Sequence, residues 1–86
     1  MTSKLHVGNL SSSVTDKDLF EKFSRYGSVL FAVVVCDGFS GESRGFGSVE
    51  MADSASAEQA VKWLNFSSYE GQIIAVSLFN DRRLAH

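Results

Sequence analysis

Apolar residues recur along this chain in two rhythms, and the changes of rhythm divide it into elements. In "KLHVG", residues 4–8, Leu5 and Val7 alternate with polar or small neighbours, which predicts a strand ending at Gly8-Asn9. A polar "SSSV" follows, and Thr15 then stands where a helix N-cap belongs. Asp16 and Asp18 fall in the first turn, where the helix dipole favours anions. Leu19, Phe20 and Phe23 recur at helical spacing until Gly27, so residues 16–26 read as a helix. "VLFAVVVC", residues 29–36, is β-branched and aromatic and reads as a second strand. "DGFSGES" is a loop by its Gly, Ser and Asp, and residues 44–51, "RGFGSVEM", form a third strand. Asp53 or Ser54 caps a second helix, whose buried stripe is Ala57, Ala60, Val61 and Leu64. "NFSSYEG" is a turn region with room for a short hairpin. Residues 72–79, "QIIAVSLF", form a last strand, and "NDRRLAH" trails off polar and basic.

The order β-α-β-β-α-β fits an α+β, ferredoxin-like sandwich: a four-stranded antiparallel sheet with two helices on one face. Right-handed crossovers place the first and third strands at the sheet centre. At 86 residues the chain is one domain, with its core in 4–80 and a basic tail at 81–86. A first strand so near the first residue is what a domain excised from a longer protein looks like.

Alternation sorts each strand into a core side and an open side. Leu5 and Val7 are assigned to the core, as are Gly47, Val49 and Met51, then Ile74, Val76 and Leu78, and in the second strand Ala32 and Val34. The open face then carries His6, Phe46, Phe79, Val33 and Val35, with Lys4 and Arg44 at its margin and Ser48 between them. A solvated sheet face is normally polar. Flat rings bordered by cations suit the bases and phosphates of single-stranded nucleic acid.

Composition narrows the ligand further. Eight Lys+Arg against ten Asp+Glu give a formal charge of −2, so bulk charge alone does not hold this chain on a polyanion. The single cysteine, Cys36, forms no internal disulfide, and no Cys/His set has zinc-ligand spacing. A reducing intracellular setting follows, nucleus or cytoplasm, with an RNA-containing organelle left open. The longest apolar run, residues 29–36, is too short to span a bilayer, so no membrane role is expected. "GFSGESRGFG" lacks the phosphate-loop pattern G-x-x-x-x-G-K-[ST] and precedes a strand. No catalytic constellation stands out and His6 has no evident carboxylate partner, so neither an enzyme nor a cofactor is expected.

Two short motifs give the chain a family likeness. "RGFGSVEM" resembles the eight-residue ribonucleoprotein motif Lys/Arg-Gly-Phe/Tyr-Gly/Ala-Phe-Val-x-Phe/Tyr at Arg44, Gly45, Phe46, Gly47 and Val49, and departs from it at Ser48 and Met51. "LHVGNL" resembles the family's shorter motif, with Asn9-Leu10 in place and His6 where Phe or Tyr is usual. Residues 4–80 therefore resemble an RNA recognition motif domain. The resemblance implies that His6 replaces the first-strand stacking ring, that Phe46 lies near a ribose between two bases, and that Arg44 meets a phosphate. Ser48 occupies the place of the other main ring and cannot stack. Met51 points into the core, where methionine fills gaps well. Lys4, Asn9, Val33, Asn80, Arg82 and Arg83 complete the implied RNA contacts.

Other features stay open at this level. Phe79 either replaces the lost ring or caps the core edge. Trp63, half exposed beside Leu64, serves partial packing or a protein contact. Phe39 is a loop anchor or an RNA-contacting ring. Lys17, Lys22 and Arg25 read as a solvated helix face paired with Asp18 and Glu21. The expected partner is single-stranded RNA, bound weakly because one ring is missing. The alternative is a protein-interaction domain of the same fold, docking a polypeptide or a second copy.

Overall fold

The computed structural model describes residues 2–79, and the elements run β1 (Ser3–Gly8), α1 (Asp16–Ser24), β2 (Val29–Cys36), β3 (Ser43–Met51), α2 (Ser54–Leu64), β4 (Ser68–Tyr69), β5 (Gln72–Ile73) and β6 (Ala75–Phe79). The main sheet is four-stranded in the order β2-β3-β1-β6, with β1 and β3 central as topology requires. Its pairings are antiparallel throughout. This is the ferredoxin-like architecture expected.

Both helices cover one face. Leu5, Val7, Val34, Val49, Met51 and Val76 of the sheet meet Leu19 and Phe23 of α1 and Ala57, Ala60 and Leu64 of α2 in a single buried cluster. Thr15 and Asp18 close a reciprocal capping box on α1, the Thr15 hydroxyl accepting from the Asp18 N–H at 3.2 Å and the Asp18 carboxylate from the Thr15 N–H at 3.1 Å. Asp53, rather than Ser54, caps α2 by accepting the Ser56 N–H at 2.7 Å.

Several sequence expectations are corrected by packing. The last strand does not run unbroken from 72 to 79. Ile74, wholly buried, donates its N–H to Ser67 and accepts that of Phe66, so β5 folds back on β4 as a hairpin and β6 alone joins the sheet. Leu78, assigned to the core by alternation, is 44% exposed. It lies at the end of the outer strand β6, where no described residue covers it fully. Phe20 is likewise exposed, because the buried stripe of α1 is the i, i+4 pair Leu19 and Phe23. The expected pairing on the α1 surface is also replaced. Asp18 is engaged in its cap, and the Lys22 ammonium stands 4.7 Å from the centre of the Tyr69 ring.

Each outer strand has an outward N–H already used. Val34 of β2 donates to the Asp16 carboxylate at 2.7 Å, and Val76 of β6 donates to the Asn65 side-chain carbonyl at 2.9 Å. These contacts tie the start of α1 and the end of α2 to opposite sheet edges. They also blunt those edges against strand addition.

Candidate nucleic-acid interface

The face away from the helices is ordered by strand register. His6 sits at its centre, opposite Ser48 of β3 on one side and Ser77 of β6 on the other. Val33 of β2 lies beyond Ser48 and completes that row. The row on one side is Phe31, Glu50, Lys4 and Phe79, and on the other are Phe46, Gly8 and Ala75. Phe46 is thus diagonal to His6, and Gly8 places no side chain between them. The two rings stack, with centroids 5.9 Å apart and planes inclined by 25°.

Glycines in β3 make this arrangement possible. A Cβ on Gly47 would collide with the Val33 carbonyl of β2 and press on Leu19 of α1, so only glycine lets β2 approach here. Beyond it, Val34 pairs with Gly47 and Cys36 with Ser43, so a step of two residues on β2 faces a step of four on β3. Gly45 lies within this bulge at φ +83° and donates its N–H to the Ser43 hydroxyl. Phe46 follows directly, turned to the open face.

Phe79 belongs to this face. It is half-exposed, and the Lys4 ammonium lies 5.8 Å from its ring centre. Between Phe79 and the His6–Phe46 pair the surface dips into a concavity of ≈ 220 Å³, bounded by Lys4, His6, Val35, Phe46, Ser48 and Phe79. Ser48 is therefore a small residue among three rings.

Arg44 reaches the corner of the platform, where its Nη1 lies 3.4 Å from Asp37 Oδ1. Asp37 organises the β2–β3 loop. Hydrogen bonds from the Ser40 N–H and hydroxyl, and then from the Phe39 N–H, hold its carboxyl below its ordinary pKa. Phe39 itself is fully exposed.

Other expected contacts separate from this cluster. The Asn9 amide donates to the Ile73 carbonyl at 2.7 Å, and its own carbonyl accepts from Gln72, so Asn9 fastens the end of β1 to the β4–β5 hairpin. Trp63 is 60% exposed on α2, on the helical side, with its indole N–H donated to Gln59. Asn80, Arg82 and Arg83 lie outside the described residues. Sequence reasoning left out Ser77, Phe31 and Asp37. Alternation already turned Ser77 and Phe31 outward, but their nearness to His6 and Lys4 depends on register. Nothing in the sequence pairs Asp37 with Arg44.

An aromatic, cation-bordered open face on a ferredoxin-like sheet defines a class of single-strand-binding platforms. The chain belongs to the RNA recognition motif family, whose model matches residues 5–75. It is 42% identical over 82 residues to Glycine-rich RNA-binding protein 1 of Mycosarcoma maydis, covering 95% of this chain and 47% of that protein. The chain thus spans about half the length of that relative. Its fold superposes on the crystal structure of RNA Binding Protein PG1 with a TM-score of 0.89 at 36% identity, covering 93% of this chain and 96% of that one. It also matches the Sxl-lethal protein/RNA complex, with a TM-score of 0.84 at 32% identity, covering 88% of this chain and 47% of that one. Further relatives carry mitochondrial or chloroplastic names. No helix among the described residues is long and apolar enough to cross a membrane.

Proposed function

We propose that this domain binds a few nucleotides of single-stranded RNA across its open sheet face, without catalysis, as part of mRNA processing or regulation. The observation that carries the reading is the stacked His6–Phe46 pair on that face, flanked by Phe79 and Lys4. Successive bases stack on the rings of His6 and Phe46, with Phe79 as a further ring. Lys4, Arg44 and the tail residues Arg82 and Arg83 hold phosphates, Ser48 and Val33 line the path of the bases, and Asn80 is a further RNA contact. Family membership and relatives named as RNA-binding proteins support this assignment.

Binding by the domain alone is weak, because Ser48 supplies no ring and the chain is net acidic. Other regions of a longer protein then raise the effective concentration of RNA at the platform. Titration with short random-sequence single-stranded RNA, followed by amide NMR shifts, tests this reading. Shifts confined to the sheet and tail are expected, and an unmoved sheet at millimolar RNA refutes it. Phe46→Ala should lower affinity by roughly one to two decades with the fold intact, since one base–aromatic stack is worth about 1–3 kcal/mol. A second reading, a protein contact or self-association surface, draws on exposed Trp63, Phe66 and Ile73. It prevails if a polypeptide or a second copy shifts those residues and RNA shifts none.

A further inference from the structure

Arg44 does not stand free at the corner of the platform; it is already facing a carboxylate. Asp37 uses one oxygen, Oδ2, for the loop, accepting the Phe39 N–H at 3.2 Å, the Ser40 N–H at 2.9 Å and the Ser40 hydroxyl at 3.1 Å. Its backbone closes the same turn, donating to the Glu42 carbonyl and accepting from the Gly41 N–H. The other oxygen, Oδ1, lies 3.4 Å from Arg44 Nη1 and forms no part of the turn. That distance is long for a charge-assisted hydrogen bond, and both side chains are substantially solvated. The pair is therefore easily separated.

We propose that Asp37 attenuates RNA binding by competing with a backbone phosphate for the Arg44 guanidinium. The inference rests on the RNA-binding reading of the sheet. Arg44 precedes Phe46 by two residues in β3, so a nucleotide on the Phe46 ring brings its phosphate toward this guanidinium. Asp37 lies there first. To turn to the phosphate, Arg44 gives up its attraction to that carboxylate. Asparagine at position 37 keeps a carbonyl oxygen for the turn and removes the charge. Two unit charges about 6 Å apart in water interact strongly enough for roughly a threefold change in affinity at low salt, and screening erases that change as salt rises.

The test compares the wild-type chain, Asp37→Asn, Arg44→Gln and the double variant, titrated with short random-sequence single-stranded RNA at low and high salt. Amide spectra check that each keeps the fold. Asp37→Asn should bind about threefold more tightly at low salt, lose that gain at high salt, and show none in the Arg44→Gln background. An unchanged or weaker Asp37→Asn, or the same gain without Arg44, overturns the proposal. The weaker outcome would instead make Asp37 a residue that holds Arg44 ready for RNA. If the wild type binds no RNA, the functional reading fails on its own. Inorganic tripolyphosphate, followed through the Arg44 side-chain N–H signal, then decides the competition. A tighter response in Asp37→Asn upholds it, and an equal one overturns it.

Discussion

Restoring a ring at position 48 is the sharpest perturbation of this interface. Ser48 lies between His6 and Val33 in the central row of the open face, beside the concavity of ≈ 220 Å³ that separates Phe79 from the His6–Phe46 pair. Ser48→Phe places a flat ring in that gap without touching the core, because the neighbouring inward positions are Gly47 and Val49. Two gains are expected. Cross-strand contact with His6 should stabilise the fold by about 0.2–1 kcal/mol. A new base stack should strengthen RNA binding by about 1–3 kcal/mol, or roughly five- to 150-fold. Fluorescence anisotropy with a short labelled single-stranded RNA reads the second, and urea denaturation the first. Because stacking is not a charge interaction, the gain should persist at high salt. An Ser48→Phe domain that is folded, at least as stable, and no tighter for RNA would refute the claim that bases lie across the centre of this sheet.

Two further perturbations probe the frame that presents the interface. Gly47→Ala should destabilise the domain by about 1–3 kcal/mol, because the added methyl meets β2 backbone rather than a movable side chain; an unchanged urea midpoint would contradict that packing. Asp53, the α2 cap, has a pKa lowered from 3.8 by the Ser56 N–H and then the Ser56 hydroxyl. A depressed carboxyl contributes stability that is fully present above the unfolded value and lost as pH falls through the folded one. Acidification below pH 3.8 should therefore weaken the domain, and Asp53→Asn should flatten part of that fall, while Asp37, depressed in the same direction, contributes with the same sign. Urea midpoints compared at neutral and acid pH check this, and identical slopes in the two proteins would contradict it.

The frame and most of the platform were legible because they depend on local pattern. Period-two alternation turned His6, Phe46 and Phe79 outward, and a helical stripe turned Leu19, Phe23, Ala57 and Leu64 inward. What escaped depends on tertiary geometry. Ile74 reads as one more strand residue, yet its backbone pairs with Phe66 and Ser67 and redirects the chain. Leu78 reads as core by the same alternation that places Val76 correctly, but burial there depends on how far the helical layer extends. Asn9 sits in a motif associated with RNA, while its amide is committed to the β4–β5 hairpin. The contact of Arg44 with Asp37 arises from the closure of a loop, which hydropathy does not report.

The geometry also constrains how a ligand approaches. With Asp16 on Val34 and Asn65 on Val76, each sheet edge has an outward N–H already satisfied, so an added strand would first have to displace a hydrogen bond. A chain lying across the open face displaces neither bond and meets the rings directly. Single-stranded nucleic acid suits that route, because its bases bring π-faces to a flat surface and its backbone needs no strand-like ladder. On the proposed reading, two features weaken the platform through separate physics: the missing ring at Ser48 through stacking, and the Asp37–Arg44 contact through charge. Salt distinguishes them. If affinity rises with Ser48→Phe at every ionic strength and with Asp37→Asn only at low ionic strength, the weakness of the isolated domain is built from both, and each can be relieved without the other.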